Sequence, residues 1–419
     1  MKHEQLVVTG MGAVTPFGQG VDTFWDRLIA GRSAVDETED ANLRRWAPVT
    51  ATAKAFNPAT SLDRSLIRKT DRFSQMALVA ANEAFNDAGW QQPQDLTSSY
   101  ASERIGIALG SAFGGIQTFE AGAARLCMGA PHVGPRLVTK AIPNAAAANI
   151  AKLWGIHGPV ITYSTACASA ANAIGEASYW LRLGEADMVL AGGAECLFSP
   201  AILAGLRSAG ALATKGPDNF SCWSSPFDAH RSGMVMGEGA GFLVLETRSH
   251  AVRRGARIYA EFAGYGASND GYHETAPDPE GRSATIALTH ALKQASIAPE
   301  QVDYINAHAT ATKAGDAAEC LVLNRVFGQA LAHIPVSSIK GAIGHMLGAA
   351  GAVESIACIK AIETSLVPPT INCHEKDEQA PPDIVPDRAR RVQRMEYVLS
   401  NSFGFGGQNG VLIWKKAVE

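Results

Sequence analysis

The sequence predicts an α/β protein, and three observations carry that prediction. Short apolar runs ending in Gly or Ser recur along the 419 residues. Stretches of helical periodicity fill the gaps between them. Two distant segments also share one plan: a Pro-Val strand, a turn of small residues and a helix rich in Ala and Gly.

In chain order the runs are 6-LVVTGMG-12, 104-RIGIALGS-111, 159-PVITYS-164, 187-DMVLAGGAE-195 and 239-GAGFLVLE-246. They continue with 257-RIYAEFAGYG-266, 302-VDYINAH-308, 334-IPVSS-338 and 397-YVLSNSFGFGG-407. Each is too short for a typical helix, and several are almost continuously apolar, as strands buried on both faces are. Helical periodicity marks 71-DRFSQMALVAANEAFNDAG-89 and 283-SATIALTHALKQAS-296. Strands alternating with helices of this length predict mainly parallel sheets. The shared plan joins 159-PVITYSTACASAANAIGEASYWL-181 to 335-PVSSIKGAIGHMLGAAGAVESIACI-359. Duplication explains it; so does chance in a chain rich in Ala and Gly. The Pro- and charge-rich 372-NCHEKDEQAPPDIVPDRARR-391 reads as a surface excursion.

Composition narrows the function. With 47% hydrophobic residues, 18% charged and a net charge of −4, the chain offers no field for nucleic acid or a membrane surface. The start, MKHEQLVVTGMG, enters a strand directly and lacks the form of a signal peptide. No apolar stretch reaches the roughly 18 residues of a membrane span. The seven cysteines form no C-x-x-C pair and no zinc-finger spacing with histidine. They read as reduced thiols, so the expected location is cytoplasmic.

One cysteine stands apart. Cys167 lies in 163-YSTACASAANAIGEA-177, at a strand end with a helix of very small side chains behind it. A helix starting near Cys167 points its free N–H groups and positive dipole end at the sulfur, which favours thiolate. The run Ala168, Ser169, Ala170, Ala171 admits another backbone or an acyl chain. The alternative, a small buried hydrophobe, is the reading of the other six cysteines. Two of the 11 histidines also stand out, His308 after 302-VDYIN-306 and His345 within 337-SSIKGAIGHMLGAAG-351. Each sits at the C-terminal end of a parallel-type strand, where α/β folds gather ligands. Neither lies in an H-x-x-x-H or H-E-x-x-H pattern. In 400-SNSFGFGGQNG-410, four glycines around two phenylalanines read as a plain turn, or as a mobile gate whose N–H groups bind an oxyanion. No phosphate-loop pattern occurs.

Together these motifs resemble the β-ketoacyl-[acyl-carrier-protein] synthases, specifically the elongating, synthase II-like branch of the thiolase superfamily. The likeness runs through VVTGMGAVTPFG, RKTDRF, STACASA, SPFDAHRSGMVMGEGAG, YGASNDGYHETAPDPEG, HATAT, SIKGAIGHMLGAAGAVE and SNSFGFGGQN. It implies a thiolase-like fold, with duplicated halves at 1–255 and 256–419 in a five-layered αβαβα arrangement. It implies Cys167 as the acyl-accepting nucleophile, His308 and His345 as paired histidines, and Lys340 and Glu319 in support. Phe405 matches a gating phenylalanine, and Thr310 and Thr312 match contacts to the phosphopantetheine arm, which belongs to the carrier protein. Asn306, Glu354, Ser400 and Asn401 resemble a structural monovalent-cation site.

The implied reaction is decarboxylative condensation of malonyl carrier protein with the Cys167-bound acyl group. It needs no redox cofactor and no catalytic metal. The implied partners are acyl carrier protein and a second chain, as a homodimer or as a heterodimer with a chain-length factor. For docking, the basic run 64-RSLIRKTDR-72 supplies Arg64, Arg68, Lys69 and Arg72, with the family match at Arg68 and Lys69 and with Arg207 and Lys215 as neighbours. Phe113, in 111-SAFGGI-116, is expected at the floor of the acyl pocket near the dimer interface, shortening the accepted chain.

The sequence departs from the family pattern at Ala309, at Gln408 and at Gly210 before Ala211-Leu212. A starter-type synthase would use Cys-His-Asn, and a thiolase a second, late cysteine; here the last cysteine is Cys373. A non-catalytic chain-length factor would lack Cys167. A ketosynthase of a type II polyketide or aryl-polyene pathway stays open beside fatty acid elongation.

Overall fold

The computed structural model describes residues 4–418. Ten strands build the main sheet: β1 (Leu6–Thr15), β2 (Ile105–Gly110), β3 (Val160–Tyr163), β4 (Met188–Glu195) and β5 (Gly239–Thr247). They continue as β6 (Ala260–Asn269), β7 (Tyr304–Asn306), β8 (Val336–Ser337), β9 (Tyr397–Gly404) and β10 (Gln408–Lys416). A two-residue strand, Gly18–Gln19, turns back onto the end of β1.

The spatial order is β8-β7-β9-β10-β6-β1-β5-β4-β2-β3. The sheet has two arms of five strands, and each arm repeats one pairing pattern. From the centre outward come two antiparallel pairings and then two parallel ones. Among the described residues the arms pair through Leu6–Val8 of β1, antiparallel to Ala260–Phe262 of β6. The expectation of mainly parallel sheets is therefore corrected: the sheet is mixed, with its five central pairings antiparallel and the two outermost on each arm parallel. One cause lies in 397–407, read as a single strand. At Gly406 and Gly407 the backbone takes φ of 73° and 71°, and the chain reverses into β10. Glycine reaches that region without steric cost.

Helices complete five layers. The outer layer on the first arm contains α1 (Arg72–Asp87), which packs on β1, β5 and β4, and α2 (Ala145–Trp154). On the other arm α4 (Arg282–Ala295) packs on β6 and β10, with α5 (Lys313–Phe327) beside it. Between the arms lie α3 (Ser169–Leu183), against β2 and β4, and α6 (Ala350–Thr364), against β9 and β10. α3 and α6 also touch each other.

Small residues make that central layer possible. A Cβ at Gly351 would lie 2.8 Å from Ala171 N, so the two helices meet almost backbone to backbone. Ala170, Ala173 and Ala177 share one core cluster with Ala349, Ala352 and Val353. Each central helix follows a 3₁₀ turn, Ala166–Ala168 and Leu347–Ala349. Both turns open on a non-glycine residue in the left-handed region, Ala166 at φ 50° and Leu347 at φ 37°. Such backbone costs energy and is held by its surroundings. Gly348 thus occupies in the second turn the place Cys167 has in the first.

Candidate active site

The turn around Cys167 is fixed by its own side chains. Ser169 Oγ accepts from the Thr165 N–H at 2.9 Å and donates to the Ala166 carbonyl at 2.6 Å. Asn172 Nδ2 donates to Thr165 Oγ1 at 2.8 Å. The α-helix begins at Ser169, two residues later than expected, so Cys167 lies in the 3₁₀ turn that leads into it.

The backbone N–H groups of Phe405 and Cys167 both face the sulfur and favour thiolate, as does the charge of Lys340. Burial outweighs them and pushes the thiol up to about 12. The expectation of an acidic thiol is corrected: helix-end donors are present, but Cys167 is only 4% exposed and desolvation wins.

Two histidines close on this thiol. His345 is pinned by its own backbone, donating N–H to the Val235 carbonyl at 2.7 Å and accepting from the Gly237 N–H at 2.9 Å. Its Nε2 stands 3.0 Å from Cys167 Sγ. The His308 ring lies 5.3 Å from the His345 ring, centroid to centroid, at 87°. One ligating atom from each of Cys167, His308 and His345 falls within 4.8 Å of the others. Burial, and then the charge of Lys340, holds both imidazoles well below the usual histidine range. Both rings are neutral at pH 7.

The supporting charges are equally buried. Glu319 accepts the N–H groups of His308 at 2.8 Å and Ala309 at 2.7 Å, and Asn401 Nδ2 at 2.9 Å. Burial nonetheless raises its carboxyl to about 7. Lys340 pairs with Glu354. Asn306 and Ser400 are paired on neighbouring strands, and Asn306 Oδ1, Glu354 Oε2, Ser400 Oγ and Asn401 Oδ1 are buried with no hydrogen-bond partner among the described residues. Buried polar atoms are rarely left so, and a set of oxygens is the donor chemistry of a hard cation.

Above the thiol a cavity of about 620 Å³ opens, lined by His308, His345, Thr310, Thr312 and Phe405. The two threonine hydroxyls lie 3.1 Å apart. Lys215 and Lys313 also line it, as do Gly210 and Ala211. Sequence reasoning missed Arg231, which is buried against Asp316 and Asp377 and donates to the carbonyls of Thr312 and Lys313. It fixes the threonine loop. The motif SPFDAHRSGMVMGEGAG contains it, but nothing in that motif singles it out.

Two expectations change. Arg64, Arg68 and Lys69 are exposed, but Arg72 is half-buried and bidentate to the fully buried Glu238, at 2.7 Å on each oxygen. It is therefore not free for docking. Arg207 is also engaged, donating to the Arg45 carbonyl at 2.6 Å. Phe113 does not line the cavity above Cys167 and is 43% exposed in the single chain. Its loop is held from both sides, by Ala112 N–H donating to Glu195 at 2.5 Å and by Gly114 packed on Pro143.

Two family models match the chain: the β-ketoacyl synthase N-terminal domain over residues 3–251, and the β-ketoacyl synthase C-terminal domain over 259–374. The chain belongs to the β-ketoacyl synthase family. The first match contains Cys167, and the second contains His308, Glu319, Lys340 and His345. Among curated relatives of this β-ketoacyl synthase is 3-oxoacyl-[acyl-carrier-protein] synthase 2 of Vibrio cholerae. It is 39% identical over 419 residues, covering 99% of this chain and 100% of that protein. Among solved structures is a chain of a type II polyketide synthase acyl-carrier protein in complex with its ketosynthase, bound to the hexaketide. That chain has a TM-score of 0.91 at 31% identity, over 99% of this chain and 100% of it. The ishigamide ketosynthase/chain length factor matches with a TM-score of 0.91 at 32% identity, over 99% of this chain and 100% of that one. The β-ketoacyl synthase fold thus spans nearly the whole chain. Among the described residues, no helix is long and apolar enough to cross a membrane.

Proposed function

We propose that this β-ketoacyl synthase elongates fatty acids, condensing malonyl-acyl-carrier protein with an acyl group held on Cys167. The reaction gives 3-oxoacyl-acyl-carrier protein and carbon dioxide. One observation carries the reading: a buried thiol lies beneath two neutral imidazoles and two backbone N–H groups, at the bottom of an open cavity.

In the first half-reaction the sulfur attacks the acyl thioester. The thiol proton passes by way of His345 to the departing pantetheine sulfur, so a thiol neutral at rest still ends as a thioester. The N–H groups of Cys167 and Phe405 hold the oxyanion that forms in between. In the second half-reaction His308 and His345 donate to the thioester oxygen of malonyl carrier. Carbon dioxide leaves, its bonding pair forms the enolate, and the two donors stabilise the charge gathering on that oxygen. The enolate carbon attacks the Cys167 thioester, and the sulfur leaves as thiolate and takes up one proton from water, replacing the one given to pantetheine in the first half. No electrons pass to or from a cofactor in either half.

Other groups support these steps. Thr310 and Thr312 contact the phosphopantetheine arm, and Arg64, Arg68 and Lys69 dock the acidic carrier. Glu319 and Lys340 position and tune the histidines. Asn306, Glu354, Ser400 and Asn401 hold a structural monovalent cation, a reading supported by their four unpartnered oxygens. The chain works as two halves, 1–255 and 256–419, in the cytoplasm.

It also pairs with a second chain. Among the described residues β3 ends the sheet unpaired on one side, with Ile161 exposed on it, and Phe119, Leu126, Met128 and Leu183 are further exposed apolar residues of the same half. Open edges and apolar patches are interface features. A homodimer covers them, or a chain-length factor does. The likeness to polyketide ketosynthases keeps that pathway as the second reading. Carbon dioxide release from malonyl carrier with short and long saturated acyl carriers tests the proposal. Turnover by the chain alone supports elongation; turnover only with an added chain-length factor supports the alternative, and no release with either overturns both.

A further inference from the structure

Glu195, the last residue of β4, is fully buried, and the mechanism above does not use it. Every group found on its carboxylate is a donor. Ala112 N–H donates at 2.5 Å and Ser111 Oγ lies at 3.3 Å, and the N–H groups of Phe113 and Gly348 also face it. These donors come from two separate pieces of chain. Ser111, Ala112 and Phe113 follow β2, while Gly348 sits three residues after His345. Gly348 has no room for a side chain, since a Cβ there would lie 2.4 Å from Glu195 Oε2 and 2.7 Å from Ala112 N.

The Ser111–Ala112 segment is in turn tied to the strand leading to the nucleophile. Ser111 N–H donates to the Tyr163 carbonyl at 3.0 Å, and Ser164 Oγ donates to the Ala112 carbonyl at 3.1 Å. A continuous path therefore runs from Ser164 through Ala112 and Glu195 to Gly348. It connects the approach to Cys167 with the turn that follows His345. The internal repeat gives it chemical sense. In the first turn the Cys167 N–H faces the sulfur where an oxyanion would form. In the second, the corresponding Gly348 N–H faces the Glu195 carboxyl, which burial pushes up to about 8.

We propose that Glu195 is a positioning residue whose carboxylate bridges the Ser111–Phe113 loop to the Gly348 turn and so sets the separation of His345 from Cys167. This rests on the condensing reaction proposed above. A misplacement of about 1 Å at such a site costs on the order of 100-fold in rate. Acylation leans on Cys167 and its own anchors at Ser169 and Asn172, and is expected to change little.

Glu195→Gln keeps the shape but turns an amide N–H₂ toward donors. It is made in the parent, to follow acylation of Cys167 from acyl carrier, and in Cys167→Gln, to follow malonyl decarboxylation without the nucleophile. The expected result is decarboxylation reduced by ten- to 100-fold, with acylation within about threefold of the parent. Ser164→Ala, an exposed change that cuts the path at its outer end, is expected to reduce decarboxylation a few-fold in the same sense. Unchanged decarboxylation in both variants overturns the proposal. So does an equal loss of both half-reactions accompanied by a fall in melting temperature, which would make Glu195 part of the core alone. If Cys167→Gln itself released no carbon dioxide, the proposed reaction would fail first, and that control separates the two.

Discussion

Arg72 gives the most discriminating prediction, because sequence and structure assign it different work. The sequence groups it with Arg68 and Lys69 as a docking charge; the structure pairs it with Glu238, whose side chain is fully buried. Glu238 also accepts from Ala53 N–H at 2.9 Å and lies 3.0 Å from Cys196 Sγ. Arg72→Ala leaves that carboxylate buried without its counter-charge. Breaking a buried pair costs about 3–5 kcal/mol, and the partial exposure of Arg72 places this case near about 3. With about 2.1 cal/mol/K of unfolding entropy per residue, a chain this long should lose roughly 3–4 °C in melting temperature. Adding Glu238→Gln should recover much of that loss, since no charge is then left unpaired. KM for carrier-bound substrate should not move. In Arg68→Glu and Lys69→Glu the pattern should reverse, with KM raised, its salt dependence weakened and melting unchanged. Scanning calorimetry and steady-state kinetics on the same preparations decide it. An Arg72→Ala enzyme that melts like the parent but binds carrier poorly would refute the assignment.

His308→Ala and His345→Ala should still acylate at Cys167 while condensation falls by about 100- to 1,000-fold, the usual loss for one oxyanion donor; parental carbon dioxide release in either would remove its role. The raised thiol pKa makes thiolate the minor form at neutral pH, so iodoacetamide labelling of Cys167 should climb steadily from pH 7 to 10. A plateau near pH 7 would mean that the donors at the turn outweigh burial. Phe113 is 43% exposed and does not line the cavity above Cys167, so Phe113→Ala should leave the accepted acyl chain length unchanged. A gain in relative kcat/KM for long over short primers, which at about 0.8 kcal/mol per buried methylene would exceed a factor of about 100 for four carbons, would return Phe113 to the acyl pocket.

The strands were legible because several, such as 187–195 and 239–246, are apolar without interruption, and the three reacting side chains because each ends or follows such a run. Direction was less legible. The strand read over 397–407 stops at Gly404, and the reversal at Gly406 and Gly407 starts another at Gln408 that no sequence run marked. No periodicity reports whether neighbouring strands run together or apart. The thiol's acidity was misjudged because helix-end donors can be inferred from local sequence, whereas burial depends on His345, Leu347 and Phe405 arriving from the other half. Arg72 fails for a similar reason: Glu238 lies 166 residues away, and a basic run looks the same whether or not one member is already paired. Glu195 shows no local sign at all, since its donors come from residues 111–113 and 348.

The central claim is that Cys167 carries the acyl group. Peptide mapping by mass spectrometry, after mixing the enzyme with acyl-acyl-carrier protein, reads it directly. The account predicts one acyl mass per chain on the peptide containing Cys167, and none in Cys167→Ala. An acyl group on any of the other six cysteines, or no covalent acyl group while condensation proceeds, would contradict it.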